Sequence, residues 1–160
     1  MDIKYGYIHK EDRFFYILSY IDVYDRSIID YHIGLSCKAQ DASVTLKRAM
    51  IKRDLHNKEA DLTIRSDNGP QFRSFKFENT LKELKVEHER IPYSTPNKNA
   101  HIESFHRILE DECLSKHEFK SFAEAYKIVS EFMKSYNEVR IHSAVNYIPL
   151  HLSRIYFIKA

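Results

Sequence analysis

Arg13-Phe-Phe-Tyr-Ile-Leu-Ser-Tyr-Ile-Asp-Val23 is the stretch on which the fold turns. An almost unbroken run of apolar, β-branched and aromatic residues is the pattern of a central strand covered on both faces. Residues 2–8 and 27–36 carry similar content on either side of it. Lys10-Glu11-Asp12 and Tyr24-Asp25-Arg26 separate them, polar segments short enough for hairpin turns. The chain therefore opens as a three-strand antiparallel meander.

Downstream the period changes. Over residues 41–56, Ala42, Leu46, Ala49, Met50 and Arg53 share one helical face, and Asp41 can cap its start. Residues 61–66 read as a short strand. Residues 71–84 read as a helix with Phe77, Leu81 and Leu84 in one stripe, and Val86–Arg90 as a fifth short strand. The prolines and turn formers of 92–98 mark a loop. Helices follow at about 98–115 and 121–137. Three strands, then strands alternating with helices, is a mixed α/β pattern, and right-handed crossovers make the later strands parallel. The expected fold is a five-stranded mixed sheet, meander first and parallel strands after, with helices on both faces. A C-terminal helical segment is expected over about 117–160.

Composition bounds the class. The 160 residues suit one domain, and 43% hydrophobic content with only three glycines and four prolines excludes disorder and low-complexity sequence. No apolar run reaches the roughly 20 residues of a membrane helix, so no membrane partner is expected. The start has no basic segment followed by an apolar one, as a secretory signal would. Cys37 and Cys113 form no C-x-x-C pair, which argues against a structural zinc site and fits a reducing, cytoplasmic setting. Both read as small buried apolar residues. The net charge of +2 is too weak to announce a nucleic-acid partner by itself.

Three acids carry chemical interest. Asp67 directly follows a strand, where ligands of open α/β sheets gather. Gly69 offers positive φ or close backbone approach, and Pro70 suits a helix entrance. On local sequence alone Asp67-Asn68-Gly69 reads first as an ordinary turn. Glu103 shares a helix face with Asn99, His106, Arg107 and Glu110, opposite Ile102, Phe105, Leu109 and Cys113, so it points away from the core. Asp2 opens the first strand, a natural neighbour of the strand ending at Asp67. Three converging carboxylates bind hard divalent cations, and a pair of such ions serves phosphoryl chemistry. Asp22, ending an apolar strand, is a rival first acid, although Asp22, Asp25 and Arg26 read more simply as turn formers. Lys47, Arg48, Lys52, Arg53 and Lys58 read as a solvated helix face. Arg140 and His142 read as clamps on the C-terminal segment.

Ser66-Asp-Asn-Gly-Pro-Gln-Phe72, followed by Tyr93-Ser-Thr-Pro-Asn-Lys-Asn-Ala-His-Ile-Glu-Ser-Phe105, strongly resembles insertion-sequence transposases with a retroviral-integrase-like (DDE) catalytic core. Asp67 and Glu103 are separated by 35 residues, the spacing of that family's second and third acids. Asp2-Ile-Lys-Tyr5 looks like its first-acid strand, Ile21-Asp-Val-Tyr-Asp-Arg26 like the end of its second strand, and Tyr136-Asn-Glu-Val-Arg-Ile-His142 with Pro149 like its C-terminal signature. The resemblance runs from residue 1 to about 150. It implies a ribonuclease-H-like catalytic core over 1–160, with Asp2, Asp67 and Glu103 as catalytic triad and metal ligands for two Mg²⁺ or Mn²⁺ ions. It implies cleavage of transposon ends and joining to target DNA by 3′-hydroxyl attack, in a homo-oligomer. Tyr93, Asn97, Lys98, Asn99, His101 and Arg107 are the expected DNA contacts. The family's Trp-x-Thr before the first acid has no counterpart, because Met1 directly precedes Asp2 and the chain has no tryptophan; the upstream DNA-binding region is expected to be absent. A non-catalytic remnant and a ribonuclease-H-like nuclease without strand transfer are the alternatives.

Overall fold

The computed structural model describes residues 1–55, 62–92, 99–142 and 148–149, the last two and 141–142 by backbone alone. Strands β1 (Asp2–Ile8), β2 (Arg13–Ile21) and β3 (Ile28–Gly34) form the expected meander, with Asp2 opposite Ser19 and Tyr16 opposite Gly34. The unbroken apolar run of β2 has the expected cause. Phe15 and Ile17 face one helix layer, and Leu18 and Tyr20 face the other.

Helix α1 (Ala39–Lys52) buries Ala42, Leu46, Ala49 and Met50, as its period requires. Asp41 lies inside the first turn rather than at the cap, and its carboxylate accepts from the Lys38 amide at 2.8 Å. Helix α2 (Phe75–Glu83) starts later than residue 71, because Phe72 and Arg73 first turn back onto the Gly69 carbonyl. Ser74 then caps it, accepting from the Phe77 amide at 3.2 Å. Strands β4 (Thr63–Ser66) and β5 (Glu87–Arg90) pair in parallel. Helices α3 (Ala100–Glu112) and α4 (Phe122–Glu138) follow.

The single five-stranded sheet is not what forms. Among the described residues the ladders are β1-β2-β3 and, separately, β4-β5. They meet where the Met1 amine donates to the Arg65 carbonyl at 2.8 Å. That contact joins the residue before β1 to the third residue of β4. The C-terminal segment is not helical throughout either. After α4, strands β6 (Ile141–His142) and β7 (Ile148–Pro149) pair antiparallel. Val139 and Ile141 are β-branched and Pro149 lacks an amide donor, all poor helix residues.

Two cores sandwich the strands. Ile8, Phe15, Ile17 and Ile33 pack with Phe105, Leu109, Val129 and Met133 of α3 and α4. Met1, Leu18, Tyr20 and Ile64 pack with Leu46, Met50, Phe77 and Leu81 of α1 and α2. The edge strand β3 is closed by side chains. The Asn137 amide accepts from the Ile28 N–H at 2.9 Å and donates to its carbonyl at 2.8 Å, and Arg48 donates to the Tyr31 carbonyl at 2.7 Å.

Candidate active site

Asp2 opens β1 on the side facing α3, and Asp67 leaves the carboxyl end of β4. Glu103 stands in the first turn of α3, exposed like Asp67. The three come from different elements yet share one electrostatic neighbourhood. Burial pushes the Asp2 carboxyl up to about 6, and the Asp67 and Glu103 charges add to the rise; the Ile3 amide and the N-terminal amine only partly oppose it. Among the described residues no group of three or more Asp, Glu, His or Cys side chains is gathered closely enough to hold a metal ion. The acids therefore share a field and not a coordination sphere.

The loop after β4 is tightly made. The Asp67 carboxylate accepts from the Gly69 amide at 3.0 Å, and the Asn68 side chain donates to the Ile91 carbonyl at 2.7 Å. Gly69 does not adopt positive φ. What it permits is close approach: a Cβ there would lie 2.3 Å from the Gln71 side-chain nitrogen.

His106 is the residue that sequence reasoning undervalued. It lies on the Glu103 face of α3, as the helical period predicts, but it is buried. Its Nδ1 is 3.7 Å from an Asp2 carboxylate oxygen. Burial, then the charges of Lys4 and the N-terminal amine, pull its pKa down to about 4, so it is neutral at pH 7. One turn on, Lys4 pairs with Glu110 at 2.8 Å, so Glu110 is committed to β1. The available signal was the spacing: a residue three positions after Glu103 shares its face.

Asp22 belongs to the turn. It accepts from the Tyr24 amide at 2.8 Å and pairs with Arg53 at 2.8 Å. Arg53 also reaches Asp25 at 2.9 Å and Ser27 at 2.8 Å. Arg48 and Lys52 both pair with the buried Asp30, and Lys47 pairs with Glu83. Lys47, Arg48 and Lys52 are exposed, the solvated face that was expected, while also pairing with acids, and only Arg53 is half-buried; Lys58 lies outside the described residues. Arg140 clamps α4 to α3 through both Glu112 oxygens at 2.7 and 2.8 Å. Cys113 is buried as expected, whereas Cys37 is only half-buried; burial raises their thiol pKa values to about 11 and about 12.

Of the expected DNA contacts, Tyr93, Asn97 and Lys98 lie outside the described residues. Asn99 and His101 border a cavity of about 520 Å³, with Met1, Tyr20, Arg65 and Glu89 among its other walls. Arg107 is exposed on α3, one turn beyond Glu103. No helix among the described residues is long and apolar enough to cross a membrane.

Comparison with known proteins bears on the family and the fold. Two family models, both described as integrase core domain, match residues 1–96 and 84–149. The chain is 40% identical over 86 residues to an uncharacterized 39.2 kDa protein of insertion element IS476 from Xanthomonas euvesicatoria, covering 54% of this chain and 25% of that protein. It is 27% identical over 144 residues to the transposase for insertion sequence element IS904 from Lactococcus lactis subsp. lactis, covering 88% and 55%. The chain thus spans from a quarter to about half the length of these relatives. Its fold matches the Mos1 transposase catalytic domain, solved with raltegravir and Mg, at a TM-score of 0.66 and 17% identity, over 84% of this chain and 69% of that one.

Proposed function

The chain belongs to the integrase core domain family, and on that premise we propose that it is the catalytic core of a metal-dependent DNA transposase. The reaction is cleavage at transposon ends followed by joining to target DNA through a 3′-hydroxyl. What supports this reading is the family match over residues 1–96, together with Asp67 at the carboxyl end of β4 and Glu103 in the first turn of α3.

By chemistry the donor set suits a hard divalent cation, although among the described residues the three side chains are not gathered into a coordination sphere. Three carboxylates offer oxygen ligands alone, the kind that a hard divalent cation takes. Asp2, Asp67 and Glu103 would hold Mg²⁺ or Mn²⁺, two ions in all. Such ions supply Lewis-acid stabilisation of the attacking and leaving oxygens. The protein's own contribution is positioning. β1 and β4 would present two acids from their separate ladders, and the first turn of α3 the third. Arg107, exposed on α3, would contact substrate phosphate, and Tyr93, Asn97, Lys98, Asn99 and His101 are the other proposed DNA contacts. Processing two ends together suits a dimer or higher oligomer.

The test uses a hairpin DNA assay that separates hydrolysis from joining, in Mn²⁺. Glu103→Gln keeps shape and removes charge. Nicking should fall by at least about a hundredfold, the scale of losing one group that stabilises a transition state. The melting midpoint should stay in place because Glu103 is exposed. Retained nicking would assign the activity to other residues. Hydrolysis without joining would favour a nuclease, and DNA binding without either a non-catalytic remnant.

A further inference from the structure

We propose that His106 is a positioning residue for Asp2, held against it by an electrostatic contact, and joined on its far side to the Ser19 hydroxyl, so that Ser19, His106 and Asp2 form one polar chain. What this positioning achieves rests on the reading of Asp2 as a metal ligand.

Two unpartnered atoms point to the chain. The His106 Nε2 and the Ser19 Oγ are both buried, and neither has a hydrogen-bond partner among the described residues. Ser19 is fully buried and His106 is 9% exposed. Both belong to residues that neighbour Asp2, Ser19 by strand register and His106 by side chain. Ser19 is the cross-strand partner of Asp2, so its side chain emerges on the same α3-facing side of the ladder. His106 approaches Asp2 from α3, with Nδ1 at 3.7 Å.

The chemical types are complementary. A carboxylate only accepts hydrogen bonds, so the imidazole nitrogen beside Asp2 is the one that carries the proton. The other nitrogen of a neutral ring is then a bare acceptor, and the buried Ser19 hydroxyl is a donor without an acceptor. A hydroxyl rotation, directly or through one buried water, joins them and removes both orphans.

The rungs between β1 and α3 fit this role. Asp2 faces His106 and Lys4 faces Glu110, the latter pair at 2.8 Å. Two strand residues advance about 6.6 Å and four helical residues about 6 Å, so strand and helix stay in step across both rungs. His106 therefore sets the height of α3 on β1, and with it the height of Glu103 relative to Asp2.

Two measurements on the whole chain test this. The first is the long-range ¹H–¹⁵N spectrum of the His106 ring at pH 7. It should show the proton on Nδ1, and Ser19→Ala should move the Nε2 resonance while leaving Nδ1 in place. A proton on Nε2 overturns the chain. The second is calorimetric titration with Mn²⁺ alone. His106→Leu should weaken binding by about tenfold or more, as loss of a ligand-orienting partner does. His106→Asn, which keeps an N–H toward Asp2, should recover most of the loss. Wild-type affinity in His106→Leu, with Asp2→Asn weakened, overturns the positioning role. If Asp2→Asn and Glu103→Gln both bind Mn²⁺ like the wild type, the metal reading falls instead, and the ring spectrum still decides the chain.

Discussion

Gly6 is a place on β1 where a side chain has no room. A Cβ there would lie 2.2 Å from the tip of the Phe15 ring, its cross-strand partner. Phe15 is fully buried and packs edge-on against Phe119 at 5.5 Å. Gly6→Ala therefore drives the ring into a filled core, and overpacking of that kind costs about 1–3 kcal/mol. A lowered urea midpoint with an unchanged slope is the expected result; an unchanged midpoint would mean that Phe15 has space to turn. Arg53 teaches a related lesson. Its place on the helical face was legible, but its engagement with Asp22, Asp25 and Ser27 depends on a turn some thirty residues earlier. No local pattern reports such a partner.

Helix α3 is the element on which the candidate chemistry turns. Its apolar stripe of Ile102, Phe105 and Leu109 holds it to the sheet, while Glu103 and Arg107 stay exposed. If Arg107 contacts phosphate, Arg107→Ala weakens DNA binding about equally across sequences. It also reduces the slope of log affinity against log salt by about 0.9, one duplex phosphate's worth. The melting midpoint stays in place, since an exposed side chain is lost. Affinity measured from low to moderate salt on unrelated duplexes checks this, and an unchanged slope would remove Arg107 from the interface. The 3.6-residue period assigned Glu103, His106, Arg107 and Glu110 to one face correctly. It could not say that β1 would cover half that face, burying His106 and engaging Glu110 while leaving Glu103 and Arg107 open.

At the scale of the whole molecule, the two ladders are stitched by side chains more than by backbone. β4 shares the lower core with α1, α2 and β2, and no ladder between β4 and β1 is found among the described residues, where the Met1 amine donates to the Arg65 carbonyl. β2 is bonded along both edges and buried on both faces. Regions with fewer cross-ladder bonds open below the global unfolding free energy. Native-state hydrogen exchange should therefore find the Ile64 and Ser66 amides exchanging through a smaller opening than those of Ile17 and Leu18. Equal protection would mean that the two ladders unfold as one unit.

What the sequence by itself determined is whatever local periodicity controls. It marked β2 as a doubly covered strand and the meander around it, and it placed the buried faces of α1, α3 and α4. The motif around Asp67 and the 35-residue interval to Glu103 carried the family, because those residues stand close in the chain. Tertiary structure decided the rest. It separated the expected single sheet into two ladders, since whether β4 lies along β1 or only touches its end depends on packing of side chains distant in sequence. It turned a row of basic residues into partners for Asp30, Asp22 and Asp25. It also set His106 beside Asp2, across more than a hundred residues, where only the burial of α3 on β1 could bring them together.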